Sequence, residues 1–173
     1  MKKPAILKNK FYSEPTVFRP ENLLREARRQ KHIQECPVPE ICVFDPDGDL
    51  VRYLKRKGKA EKNKCWACYH SDLYTSELNG KKIGIIPCAV GASYAVLVAE
   101  QLFVSGCKLL ISVTSAGIVS KKNIPKRFAL ITEAVRDEGT SYHYLPPDQP
   151  SVLSELTHNK LCSTLKKDDR LFF

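Results

Sequence analysis

The sequence predicts an α/β domain with a mostly parallel, twisted central sheet and helices on its faces. Two apolar segments of strand length, residues 83–90 and 109–113, flank an apolar segment of helical spacing at residues 95–104. Strands joined through a helix are expected to run parallel, because the connection must cross back over the sheet. In open sheets of this kind, ligands bind beyond the carboxyl ends of the strands. The turns that follow these two strands are therefore where we expect a functional site.

The segments before this unit predict further elements. Residues 1–19 are interpreted as an extended arm, and residues 20–32 as a helix that begins near a proline. Residues 41–44 predict a short buried strand, which ends in a dense turn sequence, Asp-Pro-Asp-Gly-Asp. A short helix is expected over residues 50–57, and a basic loop over residues 58–64.

An Asn-Gly pair between residues 73–78 and 82–87 is typical of a hairpin. Further along, residues 128–134 predict a strand and residues 152–167 a helix. We expect two parts, an N-terminal arm and helix over residues 1–37 and a partial α/β domain over residues 38–173.

The composition limits the possible classes of protein. The 173 residues carry a formal net charge of +9, and seven Lys or Arg lie between residues 52 and 64. A solvated surface is the favoured interpretation of this charge, with an anionic partner as the alternative. Nucleic acid is disfavoured, because the basic segment lacks aromatic residues spaced for base stacking. No segment approaches about 18 consecutive apolar residues, and the N-terminus lacks the apolar core of a secretory signal, so we expect a cytoplasmic protein without a membrane span.

The seven cysteines are odd in number and several lie in apolar segments. This pattern favours reduced, buried thiols over a disulfide framework. Cys65-Trp-Ala-Cys-Tyr-His70 resembles half of a zinc site, but a matching second half is missing. We therefore favour a packed Trp66 with neighbouring thiols and predict no metal.

Two segments that follow strands carry groups suited to binding. The serine turn, Thr114-Ser115-Ala116-Gly117, can present backbone N–H groups and two hydroxyls to an anion such as phosphate. An ordinary loop is the alternative interpretation.

Residues 136–144 combine charges, hydroxyls, phenols and an imidazole. The imidazole of His143 makes it the candidate acid or base of this segment. The alternative is structural: Asp137 caps a turn, Gly139 supplies a positive φ, and His143 is a satisfied, partly buried side chain.

Together these segments resemble the nucleoside phosphorylase family, of the uridine and hexameric purine phosphorylase type. Phe-Asp-Pro-Asp at residues 44–47 is similar to the family's Gly-Asp-Pro turn after its first strand. Residues 77–94 resemble its hairpin and glycine turn, and residues 110–117 resemble its strand that ends in a phosphate turn. The resemblance covers roughly residues 38–167 and carries the three motifs in the family's order.

The resemblance implies reversible phosphorolysis of a nucleoside, which gives a free base and ribose 1-phosphate. Inorganic phosphate would be a co-substrate, and no other cofactor is implied. On this analogy the serine turn would contact the phosphate, while Gly91, Arg136 and His143 would lie on the ribose side. The resemblance also implies a homo-oligomer, and it assigns no catalytic residue.

The chain departs from the family pattern at the first-turn glycine, which is replaced by Phe44, and at three arginine positions. Where the family has arginines for phosphate, this sequence has Gly48, Thr75 and Ser112, and Arg52 and Arg136 are the candidate substitutes. The family's base-recognition segment would lie beyond residue 173, so we expect a shortened chain whose sheet is incomplete on the C-terminal side and exposes an apolar edge. A non-catalytic nucleoside-binding or assembly member is the first alternative, and a basic RNA-associated protein the second.

Overall fold

The computed structural model describes residues 4–119, 128–165 and 171–172. The chain divides into two compact units. The sheet unit comprises Pro15–Ala116, and the second unit comprises Met1–Glu14 together with Gly117–Phe173.

The sheet unit contains three helices and a five-stranded sheet. In chain order its elements are α1 (Pro20–Lys31), β1 (Ile41–Asp45), α2 (Asp49–Arg56), β2 (Ala60–Lys62), β3 (Tyr74–Leu78), β4 (Lys81–Pro87), α3 (Ala92–Val104) and β5 (Leu109–Ser112). The predicted α/β class is confirmed. The segment predicted as a basic loop over residues 58–64 contains β2, because its backbone pairs with β3 although most of its side chains are solvent-exposed.

The strand order is β2-β3-β4-β1-β5. β1 runs parallel to both β4 and β5, so that Ile41 pairs with Ile83 on one side and with Leu109 on the other. The two apolar strands on either side of α3 therefore share a direction without being neighbours. The hairpin at Asn79 and Gly80 is present, and β2, β3 and β4 are antiparallel. Because β1, β4 and β5 run in one direction, their carboxyl ends meet at one edge of the sheet.

The core lies between this sheet and α3. Its buried members come from β1, β4, α3 and the segment before β3, and they include Phe44, Trp66, Leu73, Ile86, Val98 and Leu102. The Trp66 indole N–H donates to the carbonyl and the hydroxyl of Ser71, so the one polar atom of this ring is satisfied. A smaller buried cluster joins Leu24 and Ala27 of α1 to Ala67. Full burial of each large apolar side chain stabilises the fold by about 1.5–3 kcal/mol.

β5 ends the described sheet on one side. Leu109 and Ile111 on this strand keep 45% and 42% of their surface exposed. The expected apolar edge is therefore present among the described strands.

The cysteines correct one prediction. Cys36 and Cys65 form a disulfide with a Cα–Cα distance of 5.2 Å, so the expectation of reduced thiols is wrong for this pair. Cys36 follows α1 and Cys65 precedes Trp66, and only the tertiary fold brings these two segments together. Cys42 and Cys107 are free and buried, as predicted. The Cys65 sulfur is bonded to Cys36 and is therefore not a free thiol for a zinc half-site.

The second unit contains short elements. These are 3-10 turns at Ala5–Leu7 and Thr140–His143, strands β6 (Phe128–Ala129), β7 (Glu133–Ala134), β8 (Ser151–Val152) and β9 (Leu171–Phe172), and helix α4 (Glu155–Leu165). The strand predicted over residues 128–134 is wrong as a continuous element. β6 pairs with β9 and β7 pairs with β8, in two separate two-stranded sheets, because this segment has no broad buried face. Predicted helix residues 166–167 and arm residues 1–3 lie outside the described residues.

None of the helices in the described part of the chain combines the length and the apolar character that crossing a membrane requires.

Candidate functional site

The carboxyl edge of β1, β4 and β5 is organised around Asp45. This buried residue ends β1, and its carboxylate accepts a hydrogen bond from the Val51 N–H at 2.9 Å. Its carbonyl oxygen accepts from the N–H groups of Gly48 and Cys88, each at 2.9 Å. Asp45 thus fixes both the Asp-Pro turn, residues 45–48, and the first residue after β4.

The serine turn lies beside the Asp-Pro turn. The Val113 N–H donates to the Phe44 carbonyl at 3.0 Å, which extends the pairing of β5 with β1 up to the turn. Two donors of Ser115, its backbone N–H at 3.4 Å and its hydroxyl at 3.3 Å, then converge on the Oδ2 atom of Asp47. Residues 114–116 belong to the sheet unit, while Gly117 belongs to the second unit. Both of these Ser115 donors thus face one carboxylate oxygen of the chain itself, and the role of the serine turn at a phosphate stays a prediction.

A guanidinium group covers position 48. Gly48 is buried with φ +72°, and an ideal Cβ there would lie 2.9 Å from Nη1 of Arg52 and 3.0 Å from Sγ of Cys88. Arg52 lies on α2 and donates to the Asp47 carbonyl at 2.8 Å and to the Asp49 carboxylate. The bond to Asp49 raises the pKa of Arg52 above its ordinary value. The chain has glycine at position 48, but the guanidinium of Arg52 lies next to that position.

The turn after β4 reaches the same edge. Cys88 is exposed and has φ +60°, in the left-handed region that few side chains adopt. Gly91 follows with φ +91° and caps α3, and a Cβ added to it would meet no atom within 4 Å. The backbone conformation is therefore what requires glycine at position 91.

The other two positions at which the family has arginine contribute no charge. Thr75 lies on β3, and its hydroxyl accepts from the Asn63 amide at 2.9 Å. Ser112 ends β5 opposite Phe44. Arg52 is thus the candidate substitute that the sheet unit places beside the Asp-Pro turn.

Arg136 and His143 lie in the second unit. The Arg136 guanidinium donates to the Ser141 hydroxyl at 3.0 Å and stacks over the Tyr142 ring at 4.6 Å. It also donates to the carbonyls of Leu145, Pro146 and Gln149 at 2.6–2.8 Å. Arg136 therefore holds residues 136–149 together, and its role at a ribose stays a prediction.

His143 contacts the N-terminal arm. Its Nδ1 atom lies 2.7 Å from Nζ of Lys10, and both side chains belong to the second unit. The cap of the neighbouring 3-10 turn is Glu138, which accepts from the N–H groups of Thr140 and Ser141, rather than Asp137. Gly139 has φ −89°, so its predicted positive φ is wrong.

Sequence reasoning missed two residues of the edge, Asp47 and Cys88. Asp47 was included only as part of a turn sequence, and its contact with Ser115 joins segments distant in the chain. Cys88 was placed in a buried strand, yet it follows β4 and is exposed. The density of turn-forming residues around Asp47 was the only signal available.

The fold and this edge define an α/β protein whose candidate site lies at the carboxyl ends of three parallel strands. Comparison with protein families identifies a match to the Phosphorylase superfamily over residues 40–171. The chain belongs to this superfamily, and the resemblance noted from the sequence is confirmed. A comparison with curated protein sequences gave no match.

Solved structures of the same fold include two kinds of phosphorylase. A purine nucleoside phosphorylase from Toxoplasma gondii, in complex with immucillin-H, is 17% identical with a TM-score of 0.61, over 75% of this chain and 52% of that chain. A uridine phosphorylase from Vibrio fischeri ES114, complexed with 6-hydroxy-1-naphthoic acid, is 21% identical with a TM-score of 0.61, over 79% and 56%. A second structure of the Vibrio fischeri uridine phosphorylase is 20% identical with a TM-score of 0.61, over 79% of this chain and 57% of that chain. The chain thus spans little more than half the length of these structures.

Proposed function

We propose that this chain carries part of a nucleoside-cleaving site of the phosphorylase type. The reaction would break the N-glycosidic bond of a nucleoside and transfer the ribosyl group to phosphate, giving a free base and ribose 1-phosphate. The single observation that carries this proposal is the convergence of the Ser115 N–H and hydroxyl on one carboxylate oxygen. Two donors aimed at one anionic oxygen, at the carboxyl edge of a parallel sheet, are what a phosphate site needs.

The residues would contribute position and charge. Ser115 and the backbone of Thr114, Ala116 and Gly117 would contact the phosphate oxygens. Arg52, already fixed over Gly48, would supply the positive charge that the family draws from arginine.

In the reaction a phosphate oxygen forms a bond to the anomeric carbon while the carbon–nitrogen bond breaks, and its electron pair passes to the base. Donors held in place before the reaction lower the barrier without covalent participation.

The ribose side of the site is the less defined part of this proposal. Gly91 lies in the turn after β4, at the same edge as Ser115, and its lack of a side chain would leave room for a ribose. The roles of Arg136 and His143 on the ribose side stay a prediction of the family resemblance. Because the chain spans about half of the related structures, we propose that further residues come from additional sequence or from a second copy in a homo-oligomer. A cytoplasmic location is part of the same proposal.

A non-catalytic nucleoside-binding role is the second candidate. Gly48, Thr75 and Ser112 at the three arginine positions favour it, since a phosphate with one guanidinium partner loses charge-assisted hydrogen bonds worth about 1.5–3 kcal/mol each. Such a protein would keep the fold and the sugar contacts without turnover.

One experiment separates the two candidates. The protein is incubated with uridine, inosine or adenosine, with and without inorganic phosphate, and free base is measured by liquid chromatography. Phosphorolysis predicts free base that requires phosphate and falls at least about tenfold in Ser115→Ala, since loss of a donor to a developing or bound anion typically costs more than 1.4 kcal/mol.

Ser163→Ala, at an exposed position on α4, is a matched serine control. Calorimetry with the same nucleosides completes the design. Saturable binding without free base supports the non-catalytic role. Neither binding nor cleavage with any of the three nucleosides contradicts both.

A further inference from the structure

The anion seat, meaning the two hydrogen-bond donors of Ser115 in the serine turn, already binds an anionic group of the chain itself, the Asp47 carboxylate. Both Ser115 donors point at Oδ2 of Asp47, at 3.4 and 3.3 Å. These are the donors that the proposed function assigns to phosphate. An incoming phosphate oxygen therefore competes with a carboxylate for the same two hydrogen bonds.

The Asp47 carboxylate is held in this place by the turn that carries it. The Asp45 carbonyl closes the Asp-Pro turn by accepting the Gly48 N–H at 2.9 Å. The Arg52 guanidinium donates to the Asp47 carbonyl at 2.8 Å and so fixes the backbone of that residue. The carboxylate is thus presented to Ser115 by a fixed backbone, although Asp47 itself is exposed.

The charges around the seat oppose a second anion. Asp45 and Asp47 in this turn and Asp49 at the start of α2 bring three carboxylates to this region, and the guanidinium of Arg52 is shared between the Asp47 carbonyl and the Asp49 carboxylate. Phosphate carries between one and two negative charges near neutral pH, so it would enter against a local excess of negative charge. Repulsion between two unit charges about 4 Å apart corresponds to about fivefold in affinity in water-like surroundings and to more where water is excluded.

We propose that Asp47 is a specificity-determining residue that keeps the affinity of the serine turn for phosphate low by occupying the phosphate's own donors. This inference deepens the proposed function and rests on it, because that proposal identifies the serine turn as the phosphate seat. Asp47 acts as a built-in competitor: phosphate binds only when the carboxylate leaves Ser115. The affinity for phosphate is therefore set by a residue of the Asp-Pro turn and not by the serine turn alone.

The test measures binding of inorganic phosphate by isothermal titration calorimetry, without a nucleoside. Asp47→Asn keeps the size of the side chain and removes its charge, and Asp47→Ala removes the competing oxygen. Both variants are expected to bind phosphate at least about fivefold more tightly than the wild-type chain. Adding Ser115→Ala to Asp47→Asn should reduce this gain, because the released hydroxyl is then absent while the backbone N–H at position 115 remains.

Glu77→Gln is the matched control. Glu77 is an exposed residue on β3, and it pairs with Lys82 near the start of β4, at the edge of the sheet opposite the serine turn. The substitution changes the net charge by the same amount as Asp47→Asn. A general charge effect would raise phosphate affinity equally in both variants, whereas the proposal predicts a gain only at Asp47. Tryptophan fluorescence of Trp66, the only tryptophan, shows whether each variant is folded.

The outcomes distinguish this inference from the proposed function. Equal phosphate affinity in the wild-type chain and in folded Asp47→Asn and Asp47→Ala would overturn the inference, whatever the nucleoside assay shows. A gain that is undiminished in the Ser115→Ala double variant would also overturn it, because the Ser115 hydroxyl would then take no part in binding the phosphate. A gain that depends on Ser115 supports it even when no free base is released, and where base is released, Asp47→Asn should lower the KM for phosphate at least about fivefold.

Discussion

The close packing around Gly84 gives a sharp test of how the core is packed. Gly84 lies on β4 opposite Cys42 of β1, and a Cβ placed on it would lie 2.7 Å from the Cys42 sulfur and 3.0 Å from Cδ1 of Leu73. Overpacking of this kind costs about 1–3 kcal/mol, and the reduced freedom of the unfolded chain returns about 0.4–1 kcal/mol. We therefore expect Gly84→Ala to lower the free energy of unfolding by about 1–2 kcal/mol. Urea titration followed by Trp66 fluorescence measures this change, because the indole is buried in the same core.

The cause is tested by removing the sulfur. Cys42→Ala alone is expected to cost about 1 kcal/mol, as for other small losses of buried volume. The double variant with Gly84→Ala should be more stable than the sum of the two single effects by about 1 kcal/mol, since the sulfur no longer opposes the new methyl group.

Gly117→Ala is the control, since a Cβ there meets no atom within 4 Å and no left-handed φ is required. Strictly additive effects, or a Gly84→Ala variant as stable as the wild-type chain, would refute the reasoning.

Three further results are expected. Gly48→Arg, which restores the arginine that the family has there, should destabilise the sheet unit by at least about 1–2 kcal/mol in urea titration. The reason is that φ at position 48 is +72° and that Arg52 fills the space of the new side chain. A variant as stable as the wild-type chain would contradict this. Burial and the neighbouring Cys107 raise the pKa of Cys42, whereas Cys88 is exposed. An aromatic disulfide reagent should therefore modify Cys88 in the native protein and Cys42 only after unfolding, and peptide mass mapping would show which cysteine has reacted. Hydrogen bonds from the 3-10 turn lower the pKa of Glu138, so its stabilising contribution is present at neutral pH and is lost as the pH falls through the lowered value. The difference in melting temperature between the wild-type chain and Glu138→Gln should therefore narrow in acid, and a constant difference would count against this cap.

The fold of the sheet unit could be predicted because its signals are local. The apolar segments around α3, the Asn-Gly hairpin and the proline at the start of α1 each determine structure within a few residues. The position of β1 between β4 and β5 could not be derived in this way, since the pattern of an apolar strand does not state its neighbours. β2 was missed for a related reason: a short edge strand with exposed, charged side chains has the composition of a loop.

The candidate site was predicted in part. The serine turn was identified because hydroxyls and a glycine after a strand are chemically suggestive, and the sequence named Arg52 as a candidate guanidinium. Asp47 was missed because its importance lies in a contact between two turns that different strands bring together. The Cys36–Cys65 disulfide was missed for the same reason, since a pairing between two cysteines distant in sequence depends on the finished fold.

The central place of β1 has a consequence for how the chain acquires its structure during synthesis. Ile41 leaves the ribosome first, but its strand can pair on both sides only after Ile83 and then Leu109 have been synthesised. The hairpin of β3 and β4 needs only its own residues and so can form early, whereas the parallel half of the sheet is delayed by long-range loop closure. Until residue 112 has emerged, a nascent chain displays an apolar strand with an open side, and in that interval we expect it to depend most on chaperones.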